Sequence, residues 1–113
     1  MIQSSLYSTF KENAGVEHDF DIVIEYYLNE EHMCKEYSDL KKYGITVKKT
    51  EKHPDGRVLK ESKTIDGIFY RQADVTEFLD KLVRNSVTPV GFRDALEEHI
   101  CGKLPSIKVM NGL

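Results

Sequence analysis

The sequence has no tryptophan, and it has only two cysteines and three prolines among 113 residues. Two cysteines are too few for a small domain that several disulfides stabilise. No apolar run approaches the roughly 18 residues that a membrane-spanning helix requires. Residues 1–13 also lack the basic start and apolar stretch of a signal peptide. These absences exclude a disulfide-rich miniprotein, and they predict a cytoplasmic protein without a membrane partner.

The remaining composition is that of an ordinary globular protein. Hydrophobic residues make up 40% of the chain and charged residues 31%, which is close to average usage. The length suits one domain, because single domains cluster at about 100–150 residues. We therefore predict one α+β domain at 19–102, with a loosely ordered N-terminal arm at 1–18 and a C-terminal tail at 103–113.

Alternating apolar and polar residues predict a three-stranded antiparallel β-meander. Every second residue is apolar over 20–28, and this period is typical of a half-buried strand. Further strands are predicted at 45–49 and 58–65, joined by a turn in which Pro54 and Gly56 flank an aspartate.

The segment between the first two strands leaves two interpretations open. A short helix at 30–42 could begin after Asn29 and place Met33, Tyr37 and Leu40 on one face. A long excursion between the strands fits the same residues.

Two packed C-terminal helices complete the predicted fold. Asp74, with Glu77 three residues later, resembles a capping box at the start of the first helix. Thr88 is expected to cap the second helix, with Pro89 at its first position and Gly102 at its end. The residues with helical spacing, which predict the buried faces, are Val75, Phe78, Leu79, Leu82, Val83, Phe92, Ala95, Leu96, His99 and Ile100.

Motifs for catalysis or for cofactor binding are absent from the sequence, which has no phosphate-binding loop and no dinucleotide fingerprint. His32 and Cys34, like His99 and Cys101, are two residues apart, and zinc sites use other spacings. We therefore predict no catalytic residue, no cofactor and no metal, and a non-enzymatic protein. A metal protein or enzyme built on these four residues is the less favoured alternative.

The charge is unevenly distributed around a net value of −3. Residues 1–28 carry −4 and residues 73–101 carry −3, whereas residues 44–72 carry +3. A nucleic-acid-binding surface would therefore be local, on the predicted hairpin at 48–63. We call its cationic residues the basic hairpin: Lys48, Lys49, Lys52, Arg57, Lys60 and Lys63. Guarding a strand edge against aggregation is the more common role of such lysines.

Tyrosines exceed what one face of a three-stranded sheet needs for its core. Tyrosine offers a large apolar area and a hydroxyl, a combination that protein interfaces favour. The predicted partner-binding residues are Val23, Tyr27, Tyr37, Tyr43 and Tyr70.

Three segments of the chain form a recognisable set: Tyr-Gly-Ile-Thr-Val at 43–47, Leu-Val-Arg-Asn-Ser-Val-Thr-Pro-Val at 82–90 and Asp-Ala-Leu at 94–96. With these segments the chain resembles a family of small uncharacterised clostridial proteins. The resemblance covers about residues 20–101, and its motifs are structural. It implies a cytoplasmic Gram-positive protein with a role in sporulation or another regulatory process, and it implies no site residue.

The sequence thus predicts a small regulatory or adaptor protein that acts by binding another protein. Self-association through a sheet edge or a helix face is also expected, because a small core gains from added burial. The alternative is a nucleic-acid-associated regulator that uses the basic hairpin.

Overall fold

The computed structural model describes residues 2–15, 18–34 and 37–102, with the backbone alone at 33–34 and 37–39. Four strands are followed by two helices. The elements are β1 (Ile2–Glu12), β2 (Asp21–Cys34), β3 (Tyr37–Lys52), β4 (Val58–Phe69), α1 (Gln72–Arg84) and α2 (Pro89–Gly102).

The strands form one antiparallel sheet in the order β1-β2-β3-β4. The α+β class and the helix pair are as predicted, but the prediction of three strands was wrong. The additional strand is β1, which lies within the predicted N-terminal arm at 1–18. It pairs with β2 from Ile2 opposite Glu31 to Glu12 opposite Ile22, with a bulge between Leu6 and Ser8.

The predicted helix at 30–42 is also wrong, because β2 continues to Cys34 and β3 begins at Tyr37, so that the described part of this segment is extended. Oppositely charged side chains face each other across the two strands. Lys41 Nζ lies 2.6 Å from Glu30 Oε1, and Lys42 Nζ lies 3.3 Å from Glu31 Oε1. Such cross-strand pairs stabilise a sheet, and they form only when residues that are distant in sequence meet.

The helices follow the predicted spacing, with one correction at the start of α1. This helix begins at Gln72, two residues before the predicted Asp74. Arg71 occupies the N-cap position and donates from Nε to Asp74 Oδ2 over 3.1 Å. The Asp74 carboxylate therefore lies in the first turn, where the helix dipole favours it. The second helix runs from Pro89 to Gly102 as predicted.

The core lies between the helices and one face of the sheet. Tyr26 at its centre is 0% exposed, and its hydroxyl donates to the Val87 carbonyl between the helices over 2.9 Å. His99 is buried on α2 as its spacing predicts, whereas Ile100 is 41% exposed. The apolar core residues are Ile24, Tyr26, Tyr43, Ile45, Val47, Val75, Phe78, Leu79, Leu82, Phe92 and Leu96.

Neither described helix is long and apolar enough to cross a bilayer.

Gly44 occupies a position on β3 that has no room for a side chain. A Cβ atom there would lie 2.5 Å from the Ile65 carbonyl oxygen and 2.7 Å from the Asp66 Cα. Both atoms belong to the backbone of β4, and the register between β3 and β4 shifts between Tyr43 and Ile45, on either side of Gly44. The bulge thus brings two backbones together at a glycine, which gives the Tyr-Gly-Ile segment a structural reason.

We expect Gly44→Ala to lower the free energy of unfolding by about 1–3 kcal/mol, because the β4 backbone would have to move. Gly91→Ala on α2 is the matched control, since its nearest neighbours would lie 3.8 and 3.9 Å from the new Cβ. Alanine there should stabilise the helix by roughly 0.5–1 kcal/mol. Urea denaturation of both variants measures the difference, and equal effects would contradict this account of Gly44.

We expect Tyr26→Phe to cost about 1 kcal/mol at neutral pH, because the hydrogen bond to Val87 is lost. Burial raises the pKa of Tyr26 to about 12 from the ordinary 10.0. The folded protein thus holds the hydroxyl proton of Tyr26 more tightly than the unfolded chain does. The contribution of the protonated hydroxyl to the free energy of unfolding is complete below pH 10 and is lost between about pH 10 and 12.

At pH 11 this linkage removes about 1.4 kcal/mol from the wild type and nothing from the variant. The two proteins should therefore be almost equally stable at pH 11. Urea denaturation at pH 8 and pH 11 tests this expectation. A gap of the same size at both values would show that Tyr26 does not titrate in this way.

Candidate functional site: the open face of the sheet

The sheet face opposite the helices is the candidate site, and we call it the open face. Both described helices pack on the other side, against alternate residues such as Tyr26 and Val47. The register places the remaining alternate residues together on the open face. They include Ser4, Leu6, Thr9 and Lys11 of β1, Val23, Glu25, Tyr27 and Asn29 of β2, Thr46, Lys48, Thr50 and Lys52 of β3, and Val58, Lys60, Ser62 and Thr64 of β4.

A row of hydrogen bonds crosses the open face through all four strands. Ser4 Oγ donates to Asn29 Oδ1 over 2.6 Å, and Asn29 Nδ2 donates to Thr46 Oγ1 over 2.9 Å. The hydroxyls of Thr46 and Thr64 are 2.8 Å apart, and either can donate. Asn29 is only 5% exposed, so this row holds a buried amide in a fixed orientation. We call these four residues the polar row.

An apolar patch lies beside the polar row. Leu6 is 54% exposed and pairs with Tyr27 in the register, while Val23 and Tyr27 are half-buried. The ammonium of Lys48 lies 4.9 Å from the centroid of the Tyr27 ring. The Tyr27 hydroxyl donates to Glu25 Oε2 over 3.2 Å. Desolvation, followed by this carboxylate, raises the pKa of Tyr27. An aromatic ring, aliphatic groups and both signs of charge therefore share one small area.

Only part of the predicted partner-binding set lies on this face. Val23 and Tyr27 lie there together. Tyr43 is 7% exposed and belongs to the core, so it is not part of this surface. Tyr70 is 67% exposed but follows the end of β4. The side chain of Tyr37 lies outside the described residues.

The basic hairpin does not form one surface. Lys48, Lys52 and Lys60 lie on the open face, whereas Lys49 and Lys63 lie on the helix side, because β-strand side chains alternate. Acidic residues accompany them: Lys49 Nζ is 3.0 Å from Glu51 Oε2, and Glu61 is opposite Lys49. At the turn, Arg57 Nε donates to Asp55 Oδ2 over 2.6 Å. The positive charge is thus divided between two faces and partly neutralised.

The three candidate metal ligands whose side chains are described, His32, His99 and Cys101, do not form a metal-binding group. His99 lies on the buried side of α2 and is 5% exposed. Its ring centroid lies 4.9 Å from that of Phe78, and its Nδ1 lies 3.3 Å from Lys81 Nζ. Cys101 is exposed, and His32 is exposed on the distant hairpin. The side chain of Cys34 lies outside the described residues. No group of three metal-ligating side chains occurs within 2–15, 18–34 and 37–102 as far as their side chains are described.

A second polar cluster holds together the end of the sheet near the β3–β4 turn. Glu51 accepts hydrogen bonds from Lys49 and His53, and these bonds, with Lys49 the larger cause, lower its pKa. The ring of Phe20 lies between His53 and His18, with centroid distances of 4.4 and 4.7 Å. These contacts join β3 to the chain before β2, and they leave the open face unobstructed.

Sequence reasoning missed the contribution of β1, which supplies Ser4 and Leu6 to the open face. The serines around Leu6 disguised the strand, because serine is not a strong strand former. Alternation after the bulge, with Ser8 and Phe10 on the helix side, is the signal that could have revealed it. The role of Asn29 was missed because its amide binds Ser4 on β1 and Thr46 on β3, and neither contact can be recognised from the sequence around Asn29.

We expect Asn29→Ala to reduce the free energy of unfolding by about 1–3 kcal/mol, because Ser4 and Thr46 lose their buried partner. Thr50→Ala is the control, since Thr50 lies on the same face outside the polar row and should change stability by less than about 0.5 kcal/mol. Urea denaturation measures both values. Similar losses in the two variants would mean that the polar row has no special role in stability.

Residues 7–102 match the sequence model of a family of unknown function, DUF6514, and the chain belongs to this family. Neither the curated proteins nor the solved structures provide a significant match.

Proposed function

We propose that this member of a family without an assigned function is a non-enzymatic regulatory or adaptor protein that binds another protein through the open face. The observation that carries the proposal is the position of the Leu6, Val23 and Tyr27 patch beside the polar row. A partner could bury the patch while its polar groups contact the hydroxyls of the row. Interface cores combine apolar area and hydrogen bonds in this way.

The rigidity of the open face supports this function. Its side chains project from hydrogen-bonded strands, and Tyr27 is held between Lys48 and the Glu25 carboxylate. A partner would therefore bind side chains that have already lost much of their rotational freedom, which lowers the entropic cost of association.

The charges around the patch suit a partner with a mixed surface. Glu25 lies beside Tyr27, and Lys48 and Lys60 lie toward β4. Both signs at the rim would select the orientation of a partner more than they would strengthen its binding. Our proposal includes the setting that the resemblance implies, a cytoplasmic regulatory process in clostridia such as sporulation.

A nucleic-acid ligand is less well supported. A phosphate backbone favours a continuous cationic surface, whereas the lysines of the basic hairpin point to both faces and alternate with Glu51 and Glu61. This alternative makes a separate prediction. The affinity for duplex or single-stranded DNA or RNA would fall about 10³-fold or more between 50 and 200 mM salt if the protein contacts several phosphates. The affinity would also fall in Lys48→Glu/Lys60→Glu.

The test of the proposal is capture of the partner in cells that carry the gene. Tagged wild-type protein is crosslinked in the cell, purified and analysed by mass spectrometry. We expect Val23→Ser/Tyr27→Ser to lower recovery of the main partner by about 10- to 30-fold, the effect of losing an interface hot spot. Circular dichroism and urea denaturation confirm that the variant is folded.

The matched control is Tyr70→Ser/Val90→Ser, which removes side chains that are 67% and 79% exposed away from the open face. Recovery should stay within about twofold of the wild type, as surface changes outside an interface have little effect. A partner lost equally from both variants, or retained by both, refutes the proposed surface. Salt-sensitive nucleic-acid binding that depends on Lys48 and Lys60 would replace the proposal with the alternative.

A further inference from the structure

The two edges of the sheet differ in their protection. The outer strands are β1 and β4, and no described strand lies beyond either of them. An edge strand presents backbone N–H and C=O groups that can pair with another strand, and charged side chains are a common protection. Four charged residues lie along β4: Lys60, Glu61, Lys63 and Asp66.

The β1 edge lacks this protection over most of its length. No charged residue occurs between Ile2 and Phe10. Ile2 is 47% exposed, Leu6 54% and Tyr7 37%. The charged residues Lys11 and Glu12 are confined to the end of the strand. This strand has the length and neutrality that favour pairing with another strand.

We propose that β1 pairs antiparallel with β1 of a second copy of this chain, and that the two sheets continue as one eight-stranded sheet. The strand is complementary to itself in this orientation. In a parallel pair aligned at the same residues, Lys11 would lie beside the partner's Lys11 and Glu12 beside the partner's Glu12. In the antiparallel pair the charged end of each strand meets the uncharged end of the other.

The bulge in β1 selects the register of this pair. Before the bulge Ser4 and Leu6 lie on the open face, and after it Thr9 and Lys11 do. Residues directly opposite each other in a sheet project to the same face. Every described pair meets this requirement when Leu6 lies opposite the partner's Thr9.

The same register brings together residues of the helix side. Ser5 lies opposite the partner's Phe10, and Tyr7, whose hydroxyl donates to Asp80 of α1, lies opposite the partner's Ser8. Ser4 lies opposite the partner's Lys11, and Gln3 opposite the partner's Glu12, so that no like charges meet. A shift by one residue would place side chains of opposite faces together along part of the strand.

The extent of pairing is sufficient for an interface. Residues 3–12 overlap over their whole length in this register, and an antiparallel overlap of this length gives about ten backbone hydrogen bonds, the number of a typical protein interface. Both helix layers stay on one side, and the two open faces become one continuous surface. Pairing through β1 does not depend on binding of another protein to the open face, because the variant that tests that binding changes only Val23 and Tyr27 on β2.

Sedimentation velocity over a concentration series tests the pairing with charge substitutions at the facing positions. We expect the wild type to dimerise. In Leu6→Lys/Thr9→Lys each lysine faces a lysine of the other copy, and the dissociation constant should rise at least tenfold. In Leu6→Lys/Thr9→Glu opposite charges face each other, and dimerisation should return. Leu59→Lys on β4, where Leu59 is 46% exposed, is the control for the other edge and should leave the dimer unchanged.

Disulfide formation provides a second measurement that needs no destabilising charge. Leu6→Cys and Thr9→Cys are made separately in a chain that carries Cys34→Ser and Cys101→Ser. Mixed together and oxidised, they should crosslink at least tenfold faster than either alone, since facing Cα atoms lie about 4.5–5.5 Å apart, within disulfide range. A monomer at all concentrations, a dimer insensitive to the β1 charges, or equal crosslinking of mixed and single samples overturns the proposal.

Discussion

The structure depends on the contact between Tyr26 and the connection of the two helices. The fully buried ring lies at the centre of the sheet, and its hydroxyl donates to the carbonyl of Val87. One side chain thus fills the space between the layers and satisfies a backbone group between α1 and α2. Its position also settles the two faces of the sheet: because Tyr26 points toward the helices, Tyr27 points away from them.

Local patterns predicted those parts of the fold that form within one segment. The spacing of Phe78 and Leu82 on α1 and the Pro89 start of α2 need no distant partner to be recognised. The errors arose where distant residues decide the outcome. Glu30 and Glu31 support a strand only because Lys42 lies opposite Glu31 and Lys41 contacts Glu30 diagonally across the strands. At the start of α1, the side chain of Asp74 interacts with Arg71 rather than capping the helix.

The candidate site was predicted in the same incomplete way. The period of β2 placed Val23 and Tyr27 on one face, and the register confirms this. Tyr43 lies before the predicted second strand, yet in the structure it belongs to β3 and alternates with Ile45 and Val47 on the buried face. The basic hairpin failed as a single surface for a simpler reason: residues that are adjacent in a strand project to opposite faces, however concentrated their charge is in the sequence.

The polar row has a further consequence for folding, because it distinguishes strand registers that the apolar pattern treats alike. A slip of two residues between β1 and β2 would keep side chains on their own faces, so burial alone would oppose it weakly. The same slip would set Ile2 or Leu6 opposite Asn29 instead of Ser4, and the buried Asn29 amide would lose the Ser4 hydroxyl as its partner. The Ser4 hydroxyl and the Asn29 amide therefore favour one register, because their hydrogen bond forms only when the two strands are paired as in the native sheet.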